Sequence, residues 1–150
     1  MLHYLTQPNK ELDMDVVVLI GRVLFSVLFL SSALGHVTQT EAMAGYAQSK
    51  GVPMAKLSVL GSGALFGLGG LSVLLGVWAD LGSLLLAVLL VVTALLMHTF
   101  WKETDPQAKQ GEMIHFNKNV ALAGAALMLF AFFAHVDDLG LTITGPLFDL

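Results

Sequence analysis

Four long apolar stretches constrain this chain more than any other feature of its sequence. They cover about residues 16–35, 56–78, 81–100 and 117–136. A helix needs about 20 mostly apolar residues to cross the hydrocarbon core of a bilayer, and the mean hydropathy of +0.79 is high for a water-soluble domain. The sequence therefore predicts an all-α, polytopic membrane protein, a single domain of residues 1–150 built as a bundle of four transmembrane helices.

The first apolar stretch has a second interpretation, a secretory signal peptide, because residues 33–35 include small side chains of the kind found at cleavage sites. Signal peptides begin with a positively charged segment and have an apolar run of about 7 to 15 residues. Here Lys10 is followed by the acidic residues Glu11, Asp13 and Asp15, and the apolar run is longer. We therefore expect a retained helix.

The distribution of lysine predicts the orientation of the bundle. Four spans place both termini on one side of the membrane and the two long loops, 37–55 and 101–118, on the other. Lysine and arginine concentrate in cytoplasmic segments next to a membrane. The lysines on the loop side are Lys50, Lys56, Lys102, Lys109 and Lys118, whereas the termini side has Lys10. We expect cytoplasmic long loops and both termini outside.

One stretch, residues 97–119 (MHTFWKETDPQAKQGEMIHFNKN), is far more polar than the rest of the chain. It holds Lys102, Glu103, Asp105, Lys109, Glu112 and Lys118, which are six of the 18 Asp, Glu, Lys and Arg residues. The predicted topology places a group of polar side chains at helix ends on this one membrane face. They are His36, His98, Trp101, Glu112, His115, Lys118 and Asn119. This group predicts a polar ligand-binding site at the mouth of the bundle.

Spacing supports the grouping, although individual residues have simpler interpretations. His98 and Trp101 are three apart and share a helix face, as do Glu112 and His115 if their helix begins early. Trp101 and Lys118 could serve only as interfacial anchors, because aromatic rings and long lysine side chains favour that zone. His98 and His115 could likewise form a structural hydrogen-bonded pair.

A metal site is the other interpretation of these histidines. Glu112 and His115 have the Glu-x-x-His spacing of carboxylate-bridged di-iron bundles, but those sites need two such pairs and further glutamates. A single ion could be held by His36, His98, Glu112 and His115, but the number of candidate ligands gives such a site only weak support. The sequence therefore predicts no bound metal.

Arg22 lies inside the first apolar stretch, where an unpartnered cation costs free energy. Asp80, Asp137 and Asp138 fall on the same side of the membrane, so we expect a structural ion pair with an acid. The functional alternative is that Arg22 binds an anionic headgroup or a substrate carboxylate.

Small residues predict where the helices pack closely, since lipid does not drive helices together as water does. They lie on the second helix at Gly63, Gly67 and Gly70, and on the fourth at Ala121, Gly124 and Ala125. We expect both faces in the bundle interior, and the same faces could form a homo-oligomer. The C-terminal GLTITGPLFDL is too short to span a membrane and predicts an extended surface segment.

Three segments resemble the DoxX family of small four-helix membrane proteins: Arg22 with LFSVLFLSSALGHV, then MHTFW, then HFNKNVALAGAALML. The resemblance runs from about residue 16 to residue 133. It implies a compact bundle in the bacterial inner membrane, and the family takes its name from a subunit associated with thiosulfate:quinone oxidoreductase. The positions that match the family pattern are Arg22, Gly35, His98, Trp101, Lys118, Asn119 and Gly124.

These observations favour a redox-associated accessory subunit that contacts the lipid bilayer and binds a quinone or similar amphiphile at the polar mouth. The chain has no cysteine and no nucleotide, haem or flavin motif, so a soluble redox partner would supply electrons, and a non-catalytic role is favoured. The alternatives are a small-solute or lipid transporter, or a scaffold that recruits soluble partners through residues 102–118. A net charge of -4 argues against nucleic acid as a partner.

Overall fold

The computed structural model describes residues 7–136, 139–148 and 150, and it confirms the predicted all-α membrane fold. Four of its helices are long and apolar enough to cross a membrane. In chain order the helices are α1 (Gln7–Thr38), α2 (Thr40–Ser49), α3 (Ala55–Leu75), α4 (Ala79–Met97) and α5 (Pro106–His135), with a 3₁₀ turn at Phe100–Lys102. The spanning helices are α1, α3, α4 and α5.

The four spanning helices share one apolar core. α1 packs on α3, α3 on α4, and α4 on α5. Phe29 of α1, Phe66 of α3, Leu86 of α4 and Phe133 of α5 are all buried in the same cluster. Many other apolar side chains point outward, such as Leu24 at 72% exposure, as expected for helices that face lipid.

The glycine face of α3 lies in the bundle interior as predicted, and it packs there against α1. A Cβ atom added at Gly63 would lie 2.5 Å from the Cβ of His36, and one added at Gly67 would lie 3.4 Å from the Cβ of Ala33. These glycines therefore permit the backbones of α1 and α3 to approach closely.

The predicted small-residue face of α5 is wrong. Ala121 and Gly124 are exposed, whereas Ala123 and Ala126 are buried in the core. Small residues do line the buried face of α5, as their spacing indicated. That face carries Ala123 and Ala126, whereas the predicted face with Gly124 points away from the neighbouring helices.

The two long connections are more helical than the sequence indicated. The first, between α1 and α3, contains α2, whose buried Ala44 and Ala47 pack on Val59 of α3. The second ends early because Asp105 and Pro106 start α5: the Asp105 carboxylate accepts a hydrogen bond from the Ala108 amide at 2.8 Å, and proline suits the first turn of a helix. Both connections, with the end of α4, lie at the same end of the bundle.

At the opposite end of the bundle, Arg22 binds backbone carbonyls. The predicted ion pair with an acidic residue is therefore wrong as far as the described acidic residues are concerned. Its guanidinium donates to the carbonyl oxygens of Val73 at 2.8 Å, Leu74 at 2.6 Å and Leu141 at 2.9 Å. No described carboxylate lies within 4.0 Å of it; Asp137 and Asp138 are outside the described residues. The last carbonyls of a helix have no partner within the helix, and Arg22 supplies one for α3.

The C-terminal segment, residues 139–148, lies across this end of the bundle with irregular backbone. The amides of Ile143 and Thr144 donate to the Gly76 carbonyl, at 3.1 and 3.0 Å. Gly76 ends α3 with φ +65°, and an added Cβ there would lie 2.7 Å from the Arg22 guanidinium, so glycine is required by both conformation and space. The segment is thus part of the packed end of the bundle, not only a surface strand.

Candidate ligand-binding site

The polar side chains of the second half of the chain converge at the membrane boundary. α4 has 19 residues, about 28 Å at 1.5 Å per residue, which matches the hydrocarbon thickness of about 30 Å. His98 follows its last residue and therefore lies at the boundary. α5 has 30 residues, so its polar first turns project beyond the apolar layer on the same side.

Glu112, on those first turns of α5, connects three helices through its two carboxylate oxygens. Oε1 accepts hydrogen bonds from the Tyr46 hydroxyl and from Lys50 Nζ, the latter at 3.1 Å. Oε2 lies 2.9 Å from His98 Nδ1. We call the group Tyr46, Lys50, His98, Glu103, Glu112 and His115 the interfacial polar cluster.

Lys50 binds two carboxylates in this cluster and is itself largely buried. Its Nζ lies 2.7 Å from Glu103 and 5.2 Å from the centre of the Tyr46 ring. Burial disfavours the ammonium charge, but the hydrogen bonds to Glu103 and Glu112 outweigh it, so the pKa of Lys50 is raised. Lys50 therefore stays charged and fixes α2 to the other helices.

The contact with Glu112 also holds a proton on Tyr46. Desolvation raises the pKa of Tyr46, and the hydrogen bond and the negative charge of Glu112 raise it further, to about 12. The phenol of an unfolded chain ionises near pH 10. Since the folded value is the higher one, the stability that Tyr46 contributes is fully present below about pH 10 and is lost as the pH rises towards 12.

This shift predicts a late titration of Tyr46. The chain contains two tyrosines, so a Tyr4→Phe variant reports Tyr46 alone through phenolate absorbance. We expect a midpoint close to 12 in that variant and a lower midpoint when Glu112→Gln is added, because the negative charge is removed. A midpoint near the usual value of about 10 in the Tyr4→Phe variant would contradict the contact with Glu112.

The two histidines of the cluster are in contact, but not through a hydrogen bond to each other. The rings of His98 and His115 stack with their centres 5.2 Å apart, and His98 bonds to Glu112. The side chain of His98 is 17% exposed, whereas His115 is exposed. His98 thus has one nitrogen held by a carboxylate and a ring that is only partly covered.

A group of aromatic side chains begins two residues after His98 in the chain. The Trp101 ring packs edge-on against Phe100 and Phe116, with centres 5.2 and 5.8 Å apart, and Phe100 packs on Phe116 at 5.4 Å. Trp101 remains 49% exposed. The mouth of the bundle therefore combines partly exposed aromatic side chains with a polar imidazole, which is the composition of small-molecule sites.

In the part of the chain that the structure describes, the side chains of the remaining predicted site residues make no hydrogen bond to this cluster. His36 is buried, its Nδ1 lies 2.7 Å from the Ser32 carbonyl, and its ring packs on Phe66. Asn119 is buried and Lys118 is exposed, one turn beyond His115. Arg22 belongs to the opposite end of the bundle, as described above.

The four side chains weighed as ligands of a single ion do not converge. His36 packs on Phe66, whereas His98 and Glu112 bind each other. Within the described residues, three or more His, Asp or Glu side chains are nowhere arranged to hold a metal ion.

Tyr46, Lys50 and Glu103 were not predicted as site residues. A signal for two of them exists, since Tyr46 and Lys50 are four apart and share one face of α2. That signal gains meaning only once α2 is known to pack on α3, where its Tyr46 and the following Lys50 reach Glu112 of α5. Glu103 precedes α5 and has no regular spacing to its partner.

Comparison with known proteins places the chain in a family. The family model DoxX matches residues 17–99. The chain is also 32% identical over 139 residues to the inner membrane protein YqjF of Escherichia coli (strain K12), an alignment that covers 91% of this chain and 89% of the relative. No solved structure matches it significantly. With four membrane-spanning helices and these matches, the chain is a multi-pass inner-membrane protein and belongs to the DoxX family.

Proposed function

We propose that this protein is an accessory subunit of a redox system and binds the headgroup of a quinone, or of a similar amphiphile, beside His98 and Trp101. The observation that carries the proposal is the pairing at the bilayer boundary of a partly exposed imidazole, held by Glu112, with an exposed aromatic surface. A quinone has a flat ring, polar oxygens at its edge and a lipid tail, and each part has a counterpart in this arrangement.

The depth of the site supports an amphiphile over a water-soluble ligand. His98 follows a helix that is just long enough to cross the hydrocarbon layer, so a headgroup bound there leaves its tail in lipid. Trp101 offers a ring face for stacking, and His98 offers hydrogen bonding. No covalent chemistry is needed from the protein, and a soluble redox partner would exchange electrons with the bound ligand.

A scaffold role is the second candidate, and the structure gives it one specific observation. The first turns of α5 project from the membrane, and Lys102, Asp105 and Lys109 on and before them are exposed. A soluble partner could dock on this projection without involving His98. The transport alternative has no comparable support among the described residues, because the buried Arg22 is bound to backbone carbonyls.

Fluorescence of Trp101 provides a direct test. The chain has two tryptophans, so Trp78→Phe leaves Trp101 as the single reporter. We expect decylubiquinone or its reduced form, added to protein in nanodiscs, to quench Trp101 saturably. His98→Ala should weaken this binding about tenfold, the worth of one hydrogen bond in a partly buried site.

The matched control is His135→Ala, which removes an exposed histidine from the other end of α5. It should bind as tightly as the parent. If neither redox form quenches Trp101 saturably, or if the His98 and His135 variants bind equally well, the quinone-site proposal fails and the projecting start of α5 becomes the leading candidate. Native mass spectrometry would then compare the partners that co-purify from the protein's own host with the parent chain and with a variant in which Lys102 and Lys109 are replaced.

A further inference from the structure

The hydrogen-bond donors around Glu112 determine which of its atoms can carry a proton. Lys50 and Tyr46 both donate to Oε1, and Lys50 is also bound to Glu103. An ammonium group and a phenol facing the same oxygen stabilise the ionised carboxylate, and an ionised carboxylate is an acceptor only. Glu112 therefore has no proton to give to His98.

The protonation of the His98 ring follows from this. Nδ1 lies 2.9 Å from Glu112 Oε2, so Nδ1 is the nitrogen that carries hydrogen. In a neutral imidazole the other nitrogen, Nε2, then has a lone pair and accepts hydrogen bonds. A carboxylate behind a histidine fixes the tautomer in this way in many protein sites.

From this arrangement we propose that the site selects the reduced form of its ligand, a quinol whose ring hydroxyl donates to His98 Nε2, over the oxidised quinone. The inference rests on the proposed function and adds the redox state of the ligand. A quinone carbonyl is an acceptor and would face a lone pair, whereas a quinol hydroxyl supplies the missing hydrogen. A site that offers a hydrogen-bond acceptor favours a ligand that donates over one that accepts, because the second ligand leaves polar groups unpaired.

One substitution should reverse this polarity without removing any side chain. In Glu112→Gln, the amide oxygen is expected to occupy the Oε1 position because Lys50 and Tyr46 both donate there. The amide NH₂ group then faces His98 Nδ1 and donates to it. Nδ1 becomes the acceptor, the hydrogen moves to Nε2, and the site now offers a donor that matches a quinone carbonyl.

The experiment compares decylubiquinol with decylubiquinone under anaerobic conditions at pH 8, where imidazole is neutral, in the Trp78→Phe background. We expect the quinol to bind about tenfold more tightly in this parent, and the preference to disappear or reverse in Glu112→Gln. The matched control is Glu41→Gln, which alters an exposed ion pair with Lys56 outside the interfacial polar cluster, and it should retain the quinol preference.

The outcomes separate the two proposals. If neither form binds the parent, the proposed function fails. If both bind the parent equally, or the quinone binds more tightly, the function stands and the inference about redox state is overturned. A second measurement needs neither Glu112→Gln nor a ligand. The ¹⁵N chemical shifts of histidine-labelled parent protein, assigned with His98→Ala, report which ring nitrogen of His98 carries hydrogen, and hydrogen on Nε2 instead of Nδ1 overturns the inference.

Discussion

Replacing Arg22 with methionine is expected to lower the free energy of unfolding by about 3 to 5 kcal/mol, because three hydrogen bonds from a charged donor are lost and part of that loss is offset by no longer burying the charge. Arg22 is 2% exposed, and its guanidinium donates to three carbonyl oxygens, two at the end of α3 and one in the C-terminal segment. Methionine fills similar space but leaves those acceptors without donors. Within a bilayer no water is available to replace them.

Detergent-solubilised protein, unfolded with increasing SDS and followed by circular dichroism, gives the measurement. Arg22→Lys should lower the free energy of unfolding by an intermediate amount. One ammonium group cannot reach all three carbonyls, which the planar guanidinium of arginine reaches together. Lys102→Met serves as the control, since Lys102 is exposed outside α4 and α5 and should change stability by less than about 0.5 kcal/mol. A methionine variant as stable as the control would show that α3 does not depend on Arg22.

The second large effect is expected at Asp80, which is buried at the start of α4. Its Oδ2 accepts hydrogen bonds from the amides of Leu147 at 2.8 Å and Phe148 at 2.7 Å. Asp80→Ala removes both acceptor bonds and should cost about 2 to 4 kcal/mol, since each amide left without its acceptor costs about 1 to 3 kcal/mol and part of this is offset by removing Oδ1, which is buried without a partner among the described residues. Asp80→Asn retains one oxygen acceptor and should cost less.

Truncation tests whether these two bonds explain the effect. A chain that ends at Gly145 loses both amide donors but keeps the contacts of Arg22 and Gly76 with the C-terminal segment. In that background Asp80 has lost its partners, so Asp80→Ala should cost little or should stabilise the protein. The coupling between truncation and substitution, measured by the same unfolding assay, should reach about 1.5 to 3 kcal/mol. Strictly additive losses would disprove the coupling.

The sequence was sufficient for the fold because apolar length alone identifies membrane-spanning helices. The four spans, and the placement of His98 and Glu112 at one end of the bundle, follow from that length and from the parity of the connections. α2 was missed because its buried face consists of the small residues Ala44 and Ala47 within a polar stretch, which leaves little hydrophobic periodicity to detect.

The partners of buried charges were the harder part of the prediction. Sequence reasoning correctly required a partner for Arg22 but chose an acid, because the end of α3 against its guanidinium is a tertiary feature. The same limit applies to Tyr46 and Lys50, whose role depends on how α2 packs on α3 and brings these two side chains to Glu112. Composition indicates that a buried polar group needs a partner, whereas only packing determines which group it is.

The attachment of the C-terminal segment has a consequence for how its sequence can change over time. Apart from one threonine hydroxyl that accepts from the Trp78 amide, the groups that Arg22, Gly76 and Asp80 bind in this segment are backbone amides and carbonyls. Every amino acid supplies a carbonyl, and every one except proline supplies an amide hydrogen. Side chains at positions 141 and 147 can therefore vary during evolution while the attachment persists, whereas proline at 147 or 148 would remove one of the two amide bonds to Asp80.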